Sequence, residues 1–82
     1  MESIKVGNIL KNMRSTNTKL SQKEIGKLLS LADTTISSYE RENSQPDFKT
    51  IVNYAKICGY EIRIYNNKTK KEISLEEMSR QL

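Results

Sequence analysis

Eighty-two residues, 35% of them apolar and 29% charged, are enough for one domain with a small core. The absence of histidine removes the commonest general base and the commonest transition-metal ligand, and a single cysteine, Cys58, permits no internal disulfide and fits a reducing cytoplasm. A net charge of +4 favours a polyanionic partner, but the excess lies late: residues 1–48 carry a net of +1 and residues 49–82 a net of +3.

No stretch approaches the roughly 18 apolar residues of a membrane span. The start, MESIKVGNIL, lacks the layout of a signal peptide, so a cytoplasmic protein with no membrane partner is expected. Residues 3–15 read as a first helix, with Ser3 as its cap and Val6, Ile9, Leu10 and Met13 on one face. Gly7 weakens it locally. Ser15 to Lys19 is a polar loop.

Ser21 opens a second helix with Glu24 three residues on, the pattern of a capping box. Such a start presents free backbone amides that suit a phosphate, and Gln22 beside it can donate as well. Leu20, Ile25, Leu28, Leu29, Leu31 and Ile36 recur at spacings that place them on the inner faces of two crossing helices. Gly26 costs roughly 1 kcal/mol against alanine in a helix interior, and close approach of the next helix is the expected reason for it. That third helix is expected over Asp33 to Glu42, with an outer face of Asp33, Thr34, Thr35, Ser37, Ser38 and Arg41. A polar loop runs from Glu42 to Pro46. Asp47 then caps a fourth helix, with Phe48, Ile51, Val52, Ala55 and Cys58 on its buried side and Gly59 placed to end it in the left-handed conformation. Cys58 reads as a small core hydrophobe.

From residue 60 the pattern alternates. Tyr60, Ile62 and Ile64 face one way and Glu61, Arg63 and Tyr65 the other. Asn66 to Lys70 is turn-like, and Lys71 to Ser74 can return as a second strand. The alternatives are a hairpin within one chain and a strand paired with a second copy, since unpaired edges call for a partner. Ser74-Leu75-Glu76-Glu77 is a second capping box, with Leu75, Met78 and Leu82 on one face of either a short last helix or a frayed tail.

No catalytic constellation stands out. The serines have no histidine to activate them, and Cys58 is alone, so neither an enzyme nor a zinc site nor any cofactor is expected.

The stretch Leu20-Ser21-Gln22, Ile25-Gly26, Ser30-Leu31-Ala32, Thr35-Ile36-Ser37, Tyr39-Glu40-Arg41 and Pro46 resembles the lambda-repressor and Cro-like helix-turn-helix family, also called the xenobiotic-response-element (XRE) type. With its flanking helices the resemblance covers about residues 4 to 59. It departs at two places. Ser30 stands at the family's turn glycine, where a left-handed backbone is costlier, and Ala32 stands at the serine that usually caps the recognition helix, a loss of about 1 kcal/mol. The resemblance implies an all-α fold of four to five helices, here with a C-terminal strand or hairpin. It also implies that Glu40 pairs with Arg14. The third helix then lies in the major groove of double-stranded DNA. Asp33, Thr34 and Ser38 fall at base-contacting positions, and Gln22, Thr35, Arg41, Asn43 and Ser44 at phosphate-contacting ones, with Lys23 as a further phosphate contact. The plainer readings are that Asp33 satisfies the helix dipole, that Asn43 and Ser44 are solvated loop residues and that Lys23 is a solvated lysine.

These expectations divide the chain into a DNA-reading domain, residues 1–59, and a tail, residues 60–82, with Tyr60, Ile62 and Ile64 at a dimer or partner contact. The tail is weakly similar to the dimerising strand of HipB-like antitoxins. The function implied is a homodimeric repressor. The rivals are an antitoxin that neutralises a protein toxin, and an interaction module that no longer binds DNA.

Overall fold

The computed structural model describes residues 3–81, in the order α1 (Val6–Asn17), α2 (Gln22–Leu29), α3 (Asp33–Glu40), α4 (Phe48–Ile57), β1 (Arg63–Asn66), β2 (Lys71–Ser74) and α5 (Leu75–Arg80). Helices α1 to α4 pack around Leu10, Met13, Ile25, Ile36, Tyr54, Ala55 and Cys58, all buried. This is a lambda-repressor-like all-α domain with a two-stranded antiparallel hairpin appended. Among the described residues no helix is long and apolar enough to cross a membrane.

The local signals at α2 and α4 act as the sequence suggests. The Ser21 hydroxyl accepts from the Glu24 amide at 3.0 Å, and the Glu24 carboxylate accepts from the Ser21 amide at 2.9 Å. Asp47 accepts from the Thr50 amide at 2.8 Å.

Helix α1 departs from expectation at both ends. It begins at Val6, so Ser3 does not cap it, and Lys5 at the cap position supplies no side-chain acceptor. Instead the Glu42 carboxylate, thirty-five positions away, accepts from the Gly7 amide. A cap delivered from another helix's end leaves no local trace in the sequence. At the other end the helix runs on to Asn17, where the Thr18 amide and hydroxyl both donate to the Arg14 carbonyl, at 3.2 and 2.6 Å.

Three apolar side chains expected inside are outside: Ile9 on α1, Leu28 on α2 at 60% exposure and Phe48 on α4 at 63%. Each lies at the margin of an apolar stripe whose centre is taken by a neighbour: Leu10, Ile25 and Ile51. Tyr54, by contrast, is fully buried.

Helices α2, α3 and α4 close in the same way. In each, a left-handed residue lets the next amide reach back to a carbonyl in the last turn. These are Ser30 (φ 60°), Glu42 (φ 65°) and Gly59 (φ 84°). The closing bonds are Leu31 to Gly26 at 2.8 Å, Asn43 to Ser38 at 2.9 Å and Tyr60 to Ala55 at 2.8 Å. The close of α3 at Glu40 is two residues earlier than expected. Gly26 is required by this turn: a Cβ there would sit 2.6 Å from the Leu31 carbonyl oxygen. The backbone between the helices, more than α3 itself, excludes a side chain. Gly7 is equally constrained, since a Cβ there would collide with the Tyr39 carbonyl oxygen and lie 2.8 Å from that of Glu40.

The tail folds back on itself. Its register pairs Arg63 with Ser74, Ile64 with Ile73, Tyr65 with Glu72 and Asn66 with Lys71. Asn66 organises the turn, its side chain accepting from the Lys68 and Thr69 amides. Tyr60 and Ile62 are half-buried against the helical core, whereas Ile64 and Tyr65 are exposed. The Ser74 hydroxyl accepts from the Glu77 amide at 3.2 Å and starts α5, so the last segment is a short helix. Leu82, expected on its apolar face, lies outside the described residues.

Candidate nucleic-acid interface

Helix α3 is fixed from its inner side. Its last residue, Glu40, is buried, and its side chain is only 2% accessible. The carboxylate accepts from Arg14 Nε and Nη2 at 2.9 and 2.8 Å, from Gln22 Nε2 at 3.1 Å and from the Tyr54 hydroxyl at 2.6 Å. One carboxylate thereby joins α1, α2, α3 and α4. Arg14 also donates Nη1 to the Leu20 carbonyl at 3.0 Å, which ties down the loop before α2. Burial pushes the Glu40 carboxyl up, but the hydrogen bonds from Arg14, Tyr54 and Gln22 outweigh it and hold it below the usual carboxylate range. The Tyr54 phenol is pushed up, by burial and then by the Glu40 hydrogen bond. The Arg14 guanidinium, held mainly by its bond to Glu40, stays charged. The expected Arg14–Glu40 pair is therefore present, as a two-pronged fork. It also neutralises the acid at the end of α3.

The outer side of α3 makes few contacts of its own. Asp33 and Thr34 are exposed in its first turn, and Thr35 is half-buried. Ala32 supplies no side-chain cap, as its identity implies. Ser38 is half-buried one turn on, and its hydroxyl shares a 2.8 Å hydrogen bond with that of Ser44. That bond brings the loop after α3, with Asn43 and Ser44 both exposed, alongside the helix. Arg41 is exposed at the helix end, with Nε 3.4 Å from the Ser37 carbonyl. Gln22 is half-buried, with one amide hydrogen committed to Glu40, and Lys23 beside it is exposed. The Gln22–Glu40 bond sets the start of α2 next to the end of α3.

Two bonds bring these segments together: Gln22 to Glu40 joins the start of α2 to the end of α3, and Ser38 to Ser44 joins α3 to the following loop. Tyr60 and Ile62 instead pack against the helical core. Two residues that anchor these segments, Tyr54 and Glu42, lie outside the sequence-based reading. Tyr54 falls one helical turn from both Ile51 and Cys58, so its register already marked it as inward. Glu42, which anchors the loop through the Gly7 amide, had no comparable signal. Among the described residues no group of three or more histidine, cysteine, aspartate or glutamate side chains is arranged to hold a metal ion.

A family model described as helix-turn-helix matches residues 10–65, more than half of the chain. No curated protein and no solved structure matches it. The turn between α2 and α3, the buried Glu40 hub and the matched segment coincide, and the chain belongs to the Cro/C1-type, XRE-like family of DNA-binding helix-turn-helix regulators.

Proposed function

We propose that the protein is a homodimeric repressor that reads a palindromic operator through the major groove, acting in the cytoplasm. The observation that carries this reading is the two-sidedness of α3. Its inner side is locked to three other helices through Glu40, while its outer side offers short polar groups, with Asp33 and Thr34 exposed and Thr35 and Ser38 half-buried. In this reading Asp33, Thr34 and Ser38 meet base edges. The Thr34 methyl suits a thymine methyl, the hydroxyls suit several bases, and Asp33 suits cytosine N4. Gln22, Lys23, Thr35, Arg41, Asn43 and Ser44 meet phosphates and set the register. Residues 1–59 form the reading unit and residues 60–82 the dimerisation tail. Ile64, exposed beside the open edge of β1, is the member of the expected apolar set most accessible to a second copy.

Selection from a pool of random duplexes at two salt concentrations tests the proposal. The expected outcome is an enriched pseudo-palindrome with half-sites about 34 Å apart, one turn of the duplex. Weak, salt-sensitive binding without enrichment refutes it.

The antitoxin reading has one observation of its own. The hairpin and α5 expose Ile64, Tyr65 and Met78, which reading DNA does not require. A stoichiometric complex with the product of a neighbouring gene supports that reading, and a toxin that stays active in its presence refutes it.

A further inference from the structure

Helix α5 hangs from the hairpin. Against α4 it leaves an open groove of 570 Å³. The floor is apolar: Phe48 and Val52 from α4, Leu75 and Met78 from α5. Phe48 is 63% exposed and Met78 42%, so the floor is uncovered within this chain. The rim is basic, with Lys49 and Lys56 on one wall and Arg80 on the other. The one carboxylate lining it, Glu76, is already bridged by Lys56 at 3.3 Å.

We propose that this groove docks an amphipathic helix of a partner protein, with carboxylates flanking its apolar face. An apolar patch with a polar rim marks a contact site. The α4 wall runs from Phe48 to Lys56, which is about 12 Å at 1.5 Å per residue. That length accommodates two turns of a helix and apolar anchors spaced i, i+3, i+4 and i+7. Charge selects the partner. With Lys56 already paired to Glu76, a second copy docked by the same patch around a two-fold axis sets the Lys49 and Arg80 cations of one patch against those of the other. A DNA backbone satisfies the cations but places phosphates beside Phe48 and Met78, whose burial then contributes nothing. An acidic amphipathic helix uses both the floor and the rim. The groove on the other side of α5 lacks this selectivity, since Ile64, Ile73 and Met78 there are flanked by Lys71 together with Glu72 and Glu77. The inference is independent of what α3 reads.

The test uses the full chain and a labelled peptide of about fifteen residues, a length near the threshold of helix formation. It carries leucine at i, i+3, i+4 and i+7 and glutamate at the flanking positions. A control peptide carries lysine in place of glutamate. The acidic peptide is expected to bind, more weakly as salt rises, and the lysine peptide not to bind. Lys49→Glu with Arg80→Glu should weaken the acidic peptide by about tenfold. Phe48→Ala should weaken it while leaving the melting midpoint and DNA binding unchanged. Equal binding of both peptides overturns the proposal, as do amide shifts confined to α3 or to the hairpin. A dimer that dissociates on Phe48→Ala assigns the groove to a second copy instead. Loss of DNA binding in the double charge reversal assigns it to the duplex.

Discussion

At the scale of single residues, the left-handed positions divide by what their side chains do. Ser30 and Glu42 both hold a conformation that costs roughly 1–2 kcal/mol for a residue with a Cβ. Ser30 is exposed, and glycine meets the same backbone requirement without a Cβ. Ser30→Gly should therefore stabilise the fold by about 0.5–1 kcal/mol, a rise of several degrees in thermal midpoint for a domain of this size. Glu42→Gly should not, because it relieves the same strain and removes the cap on Gly7. Thermal melts of the two variants check the contrast. Glu40 is the other decisive residue. Arg14→Ala leaves its carboxylate buried without its principal partner, a loss of about 3–5 kcal/mol that is close to the whole stability of a small domain. The Glu40 carboxyl sits below its ordinary value in the folded state. Its contribution is complete above the unfolded carboxyl's pKa and is lost as pH falls through the folded value. Glu24 and Asp47, each held low by the hydrogen bonds of its own cap, act in the same direction. Without histidine nothing comparable titrates between about pH 5 and about pH 7. A denaturation series should show a plateau there and a decline in acid, and a sloping plateau would contradict it.

At the scale of elements, α3 is short, weakly amphipathic and uncapped by its own sequence. Eight residues with two serines, two threonines and an aspartate do not sustain an isolated helix. It is held by Ile36 in the core, by the turn over Gly26 and by the Glu40 hub. Of its outer residues Asp33 and Thr34 are exposed and lie away from these anchors, whereas Ser38 also holds the following loop through Ser44. Thr34→Ala with Ser38→Ala should lower the melting midpoint only slightly, through the lost Ser38–Ser44 bond, and weaken binding to a selected site more than binding to random duplex. Equal losses on both DNAs would show that these hydroxyls do not read bases. Ile36→Asp, which buries an unpaired charge, should abolish the cooperative melt.

At the scale of the whole molecule, the helical unit and the tail are joined by more than a linker. Tyr60 and Ile62 pack on the helical core, so a deletion of residues 60–82 would remove core packing together with the hairpin. Deletion from Arg63 onward is the cleaner experiment. It should preserve the melt of the helical unit and lower the affinity of the proposed homodimer in sedimentation, and an unchanged affinity would put the interface elsewhere.

What the sequence determined by itself is local and periodic. The capping box at Ser21, the cap at Asp47 and the left-handed Gly59 each need only a few neighbouring residues, and each is present, whereas of the alternating stretch from Tyr60 to Tyr65 only the part from Arg63 is strand, with both faces exposed. The motif from Leu20 to Pro46 supplied the family, because its spacing encodes the turn between α2 and α3. Tertiary structure decided what depends on residues far apart in the chain. Glu42 rather than Ser3 caps α1, and Gln22 and Tyr54 complete the shell around Glu40. Ile9, Leu28 and Phe48 lie outside because an apolar stripe is wider than the strip of helix that its neighbours cover. Which residues at its margin remain in water is set by how the helices cross, and no single helix contains that information.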